Sequence, residues 1–369
     1  MKKSCKNFIR QKEMRIATVT SLLDCIACGT DTKRKIMEAT GFSWGSVATY
    51  TAELLNKGVI CEYIPENRTS GGRRTSHYKI TGLKYQALGI EVSPEKISFA
   101  LVSADGTLLE SYSSGIAGID NSNCVDVISQ SLSDYIDRSA YSRDTILETV
   151  VSLTGAVDSE ALIWHFSPGH PGINGCDLAP LRRSMPGNFS IEHDIFSKAR
   201  SILFRHRMEN SKCVFLHVGE GIGLAAGDNG VFYRGSRGFS GEIGHIPYGS
   251  GAGNICRCGK TDCLECSLSL PALRQNGKEA LERPLEFLCV TAVNLFDPEC
   301  LAVGGEAVEE MLSGAKEYWE RKISSSSWLN APQRMLFYKM SDCMGPFGAA
   351  LGCRSFLIRQ AASQLFSEE

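Results

Sequence analysis

No stretch of the 369-residue chain approaches the roughly eighteen consecutive apolar residues that a membrane-spanning helix requires, so no membrane partner is expected. Also missing is a leader in which an apolar core precedes small residues. That predicts a cytoplasmic protein whose 15 cysteines are reduced thiols, not a disulfide framework. There is no repeat at fixed period and no low-complexity tract, which excludes a solenoid; Ser324 to Ser327 reads as a short polar loop. Positive charge is scarce in most of the chain. Residues 81–369 carry 25 Lys and Arg against 34 Asp and Glu, whereas residues 1–80 carry 14 against 7. A basic head on an acidic body suits a head that meets a polyanion, although a merely solvated basic face gives the same count.

The head, residues 1–82, begins with apolar Ile16, Val19, Leu22, Leu23 and Ile26 at spacings of three and four, an amphipathic helix from Glu13 to Cys28. Cys25 and Cys28 on it read as core residues. Gly29 ends that helix, Thr30 or Asp31 can cap the next, Thr32 to Thr40, and Ser43 can cap a third that runs to Gly58. Two short helices joined by a Gly-containing turn form the helix-turn-helix pattern. Ser43, Trp44, Ser46, Thr49 and Thr51 are the candidates for the face that enters a DNA groove, with Trp44 equally able to pack inward. Strands at Val59 to Tyr63 and His77 to Ile80 flank a loop with Gly71, Gly72, Arg73 and Arg74, completing a winged helix whose arginines can reach phosphates.

In the body, strands are expected at Tyr85 to Glu91, Lys96 to Val102 and Thr107 to Tyr112, then a helix from Cys124 to Arg138 and a buried strand from Leu147 to Leu153. Helices follow at Leu268 to Ala280 and Pro284 to Phe296, strands at Cys300 to Val303 and Met335 to Tyr338, and a last helix from Pro346 to Leu365. This is an α/β succession. Between the two groups, one imidazole and three thiols converge within nineteen residues: His245, Cys256, Cys258 and Cys263. A soft set of four leaves no coordination site open for a catalytic water and matches a structural tetrahedral Zn2+ knuckle; nearby Cys266 can replace one of the ligands.

Glu242-Ile243-Gly244-His245, Cys256-Arg257-Cys258-Gly259 and Cys263-Leu264-Glu265 resemble the signature of the ROK family, which comprises repressors, uncharacterised reading frames and sugar kinases. The resemblance implies that Glu242 and Glu265 bond sugar hydroxyls and that His245 serves both the zinc and the sugar. Ile191-Glu192-His193-Asp194 is similar to the family's E-N-D segment, which implies sugar contacts from Asp194 and His193, with Asp194 a vestigial catalytic base. Thr154 to Asp158 and Ser167 to Gly172 resemble loops that flank the sugar, and Asn174 stands where the family has a sugar-contacting asparagine.

The resemblance further implies a two-lobed actin-like, ribonuclease-H-like sugar-kinase fold behind the winged helix-turn-helix: lobe 1 over 83–195, lobe 2 with the zinc knuckle over 196–345, and a closing helix over 346–369 that returns to lobe 1. Against the kinases' D-x-G-G-T-K loop, this chain has Glu91-Val92-Ser93-Pro94-Glu95-Lys96, and Glu220 replaces a threonine in Gly219-Glu220-Gly221-Ile222-Gly223. Lost glycines and added carboxylates oppose a triphosphate. The expectation is therefore a non-enzymatic, sugar-responsive repressor in the family's transcriptional-regulator branch. Its partners are a double-stranded DNA operator and a sugar effector, and it forms a homodimer or tetramer. Effector binding closes the lobes and alters the spacing of paired recognition helices. A sugar kinase with an accessory head is the rival reading.

Overall fold

The computed structural model describes residues 2–64, 75–81, 84–249, 251, 253–328, 332–341 and 343–366. Three helices open it, α1 (Lys2–Ala27), α2 (Lys33–Thr40) and α3 (Trp44–Asn56). The first starts well before the expected Glu13. Thr32, not Thr30 or Asp31, caps α2, its hydroxyl accepting from the Lys35 amide at 3.3 Å. Gly41 takes a left-handed φ of 70° to make the turn, and Ser43 caps α3 by accepting from the Ser46 amide at 3.1 Å.

Asp31 has a different task. It accepts from the Tyr63 hydroxyl at 2.5 Å and Lys35 Nζ at 3.1 Å and lies 2.8 Å from His77 Nδ1. One carboxylate thus ties the start of α2 to both strands of an antiparallel ribbon, β1 (Ile60–Tyr63) and β2 (His77–Ile80). The loop between them, with Arg73 and Arg74, lies outside the described residues.

The body holds two mixed five-stranded sheets. The first contains β3 (Gln86–Val92), β4 (Lys96–Ser103) and β5 (Leu108–Gly115), then, after α4 (Cys124–Arg138), β6 (Ile146–Leu153). A small sheet of β7 (Ala156–Asp158), β8 (Ile163–Phe166) and β9 (Asn174–Asp177) intervenes before β10 (Asn188–His193) completes the order β10-β6-β3-β4-β5. Helix α5 (Asp194–Arg205) then leads to the second sheet, β13-β12-β11-β14-β15. Its strands are β11 (Cys213–Val218), β12 (Ile222–Asp228), β13 (Val231–Phe232), β14 (Cys300–Gly304) and β15 (Arg334–Tyr338). Between and beside them run α6 (Leu270–Asn276), α7 (Glu282–Phe296), α8 (Glu309–Leu312) and α9 (Lys316–Ser326). In each sheet three antiparallel strands from one meander are followed by two parallel ones, so one topology is used twice.

Several expectations are corrected. Helix α6 stops at Asn276, before the positive φ of Gly277, and does not reach Ala280. Ser324 to Ser326 belong to α9, where Trp319 and Ile323 bury one face and the serines occupy the other; the loop reading weighed composition over period. The small sheet escaped notice because Asn174-Gly175-Cys176-Asp177 is a poor strand former. The last helix is two, α10 (Met344–Leu351) and α11 (Arg354–Gln364), parted at Gly352-Cys353.

Those two helices join everything. Helix α10 packs against β3 and α5 so closely that a β-carbon on Gly348 would lie 1.7 Å from the Ser197 carbonyl oxygen. One on Gly345 would lie 2.2 Å from Glu91 Oε1. Helix α11 lies along α1. Arg354 donates to the carbonyls of Ala27 and Ala104 at 3.4 Å each, the Arg15 guanidinium stands 4.5 Å from the Phe366 ring centroid, and Tyr85 bonds Gln364. Val19, Leu22, Ile36, Val47 and Leu54 of the head share one buried cluster with Ala87, Phe347, Leu357, Ile358 and Phe366 of the body. Each large apolar side chain buried there contributes about 1.5–3 kcal/mol. The head is therefore built onto the body through a common core.

Candidate functional site

Strand β10 ends at His193 and delivers Asp194 to the first turn of α5, where the helix N-terminus favours a carboxylate. Four residues on, Lys198 lies on the same face, and its Nζ is 2.5 Å from Asp194 Oδ2 and 3.9 Å from Glu91 Oε1 on β3. Burial would raise the Asp194 carboxyl, but Lys198 and His193 hold it well below the usual carboxylate range. Burial pushes the Glu91 carboxyl up, with Lys198 opposing.

His193 Nδ1 is 3.1 Å from both the Ile195 amide and Asp194 Oδ1. Nδ1 thus stands between a donor amide and the Asp194 carboxylate, and although burial opposes the charged ring, the Asp194 carboxylate holds the imidazole above its usual value. Nε2 faces Glu242 Oε1 at 3.9 Å. The other Glu242 oxygen is 3.8 Å from His245 Nε2, and His245 Nδ1 is 3.5 Å from Cys256 Sγ. A polar line thus runs from Lys198 through Asp194, His193, Glu242 and His245 to the cysteines, crossing from the first sheet to the second.

The ligand atoms of His245, Cys256, Cys258 and Cys263 all lie within 4.8 Å of one another. In a tetrahedron with metal–sulfur bonds of about 2.3 Å, neighbouring sulfurs stand about 3.8 Å apart. Cys258 Sγ and Cys263 Sγ are 3.7 Å apart, so the donor set fits a tetrahedral ion. Cys266 is outside the group, its thiol turned to the Asn254 carbonyl at 3.9 Å.

Asn174 is placed apart from this line, whereas Glu265 meets its far end, where the Cys256 thiol lies 4.0 Å from Glu265 Oε1. Glu265 is buried, and Arg257 grips it with Nε–Oε1 and Nη2–Oε2 separations of 2.6 and 2.8 Å, while the Ile222 amide donates to it at 3.2 Å. It braces the knuckle loop against β12, and a sugar hydroxyl would have to displace Arg257 to reach it. Asn174 is exposed on β9, its backbone amide and carbonyl both bonded to the Asn121 side chain. In the flanking loops Thr154 and Ser167 share a hydroxyl contact of 2.9 Å, and His170 is buried edge-on to Trp164.

Ser93 to Lys96 form a tight turn closed by the Ser93 amide on the Lys96 carbonyl, with Pro94 packed on Gly169. Glu220 is exposed and 3.4 Å from Arg274. Three residues beside this polar line were missed by sequence reasoning. Lys198 could have been found from its i+4 spacing to Asp194. His217 and Glu306, 3.5 Å apart, meet only through packing, and burial with Lys198 nearby pushes the His217 imidazole down to about 3, keeping it neutral.

On α3, Trp44 is 56% exposed, Ser43 and Thr49 are exposed and Ser46 is half-buried. Thr51 corrects the expectation: it is fully buried and its hydroxyl donates to the Val47 carbonyl at 2.7 Å. Positions 47, 51 and 54 form one helical stripe facing the core, and Ala52 takes the outer position instead. Among the described residues no helix is long and apolar enough to cross a membrane.

The model of the ROK family matches residues 87–286. The N-acetylglucosamine repressor of Escherichia coli O157:H7 is 23% identical over 337 residues, covering 81% of this chain and 82% of that protein. A solved ROK family transcriptional regulator, described as a homologue of the E. coli MLC protein, superposes with a TM-score of 0.74 at 19% identity, over 95% of this chain and 99% of that one. The ROK hexokinase from Thermus thermophilus gives 0.58 at 19% identity over 72% and 97% of the respective chains, a likeness confined to the fold of the body. With a family match spanning more than half of its length, and the α/β fold of those structures, the chain belongs to the ROK family.

Proposed function

We propose that this chain is a sugar-responsive transcriptional repressor that binds duplex DNA through its head and a sugar in the cleft between its sheets. The observation that carries the reading is the buried core shared by α1 and α11, which couples a helix-turn-helix with an exposed α3 face to a ROK body. The likeness to a protein named N-acetylglucosamine repressor over four-fifths of both chains supports it. Ser43, Trp44, Ser46 and Thr49 contact the groove, and Arg73 and Arg74 contact phosphates or the minor groove. Asp194, His193, Glu242 and His245 accept and donate bonds to sugar hydroxyls. His245, Cys256, Cys258 and Cys263 hold Zn2+, whose contribution is to cross-link the loop and orient the His245 ring.

The cleft does no phosphoryl transfer. A general base must be able to take a proton, and Asp194 is already committed to Lys198. Carboxylates at Glu91, Glu95 and Glu220 further oppose a triphosphate. The protein acts as a homodimer or tetramer, in which closure about a sugar moves α5 and, through α10 and α11, the paired α3 helices. The deciding experiment selects operator sequences from random duplexes with the purified protein and then titrates the complex with a panel of sugars. Saturable, sequence-selective binding that one sugar weakens supports the reading. Sugar-dependent ADP formation from ATP, abolished by Asp194→Ala, would replace it with the kinase.

A further inference from the structure

Glu91 and Asp194 come from different elements, β3 and α5, yet both point at one ammonium group. Their side chains are 13% and 11% exposed and that of Lys198 is 12% exposed. An ammonium between two buried carboxylates offsets both their mutual repulsion and the cost of taking them out of water. Glu91 reaches this point because Gly345 has no side chain in the way. Carboxylate oxygens are hard ligands suited to Mg2+ or Mn2+. Arg200 cannot serve, since it is engaged bidentately by Glu192 at 2.6 and 2.8 Å.

We infer that Lys198 is a tethered counter-cation occupying the place between Glu91 and Asp194 that a divalent ion would otherwise take, so that the cleft is held in shape without a hard metal. The ammonium is a positioning group: it fixes the Glu91 and Asp194 carboxylates across the β3–α5 seam and leaves Asp194 Oδ1 towards His193. Two consequences distinguish this role from a merely structural lysine. The native cleft ignores hard divalent ions, and removing the ammonium creates a site for one.

The test is thermal unfolding of the full chain, with its knuckle metal in place, against MnCl2 and MgCl2. Manganese and magnesium compete poorly for thiolates, so the knuckle does not contribute. The native protein and Lys198→Arg should show no shift. Lys198→Ala and Lys198→Met should melt lower and recover by several degrees in excess Mn2+. The recovery should vanish in Lys198→Ala/Glu91→Gln. A native protein stabilised by Mn2+ as strongly as the variants, or folded variants that gain nothing, overturns the inference. So does failure of both variants to fold even with Mn2+, since the ion should replace the ammonium. Neither DNA nor sugar enters the measurement, so its outcome is independent of the repressor reading.

Discussion

Glu242 lies 3.8 Å from His245 Nε2, while the opposite nitrogen of the same ring faces Cys256 Sγ at 3.5 Å. One imidazole therefore has one nitrogen towards the cysteines and the other towards an exposed carboxylate. Chelation and a single carboxylate change should accordingly have separable effects. Purified protein should contain about one zinc per chain. Cys258→Ser should lose the metal together with any sugar-induced stabilisation. Glu242→Gln should keep the metal and lose only the sugar response, as read by metal analysis and thermal shift on the same samples.

Charge in the cleft predicts which sugars respond. Glu91, Asp194 and Glu306 act on Lys198, whose charge is already shared by the first two, and Glu242 lies beyond His193. A phosphate dianion would enter a net acidic site. Free sugars should therefore raise the melting temperature and their 6-phosphates should not; the two forms are compared at equal concentration and ionic strength.

On α3, Thr49→Glu places a carboxylate on the exposed face and, under the proposed reading, should weaken operator binding by at least ~10-fold. Thr51→Val, at the buried hydroxyl, should leave operator affinity within about twofold once folding is confirmed. Fluorescence anisotropy with a labelled duplex separates the two, and equal losses would mean that α3 does not face the groove.

Asp31 makes the head acid-sensitive. Burial alone would raise its carboxyl, but the bonds from Tyr63, His77 and Lys35 hold it well below its ordinary value of 3.8. A depressed folded-state value contributes stability above about pH 4 that is lost as pH falls further. Asp31→Asn should cost about 1–3 kcal/mol at pH 7 and flatten the loss of head structure below pH 4, followed by circular dichroism.

The first three helices, both ribbon strands and the grouping of His245 with three cysteines were legible because each is a short-range pattern. Caps, three-and-four spacing and ligand spacing act within a few turns of chain. Thr51 was misplaced because a hydroxyl was weighed above its helical stripe with Val47 and Leu54. That Arg257 folds back on Glu265 is likewise revealed by nothing local. The doubled sheet topology left no repeat in the residues: topology needs only alternating burial and turn positions, which many sequences satisfy.

By itself, then, the sequence determined most of the local elements and the closeness of His245 to three cysteines, both of which rest on neighbours close along the chain. Only the tertiary structure decided which carboxylates meet one ammonium and that α11 joins the head to the body. Glu91 and Lys198, or Leu22 and Leu357, are far apart in sequence. Their meeting depends on how whole sheets and helices pack, most directly on the bare backbone of Gly345 and Gly348 that lets α10 press against β3 and α5.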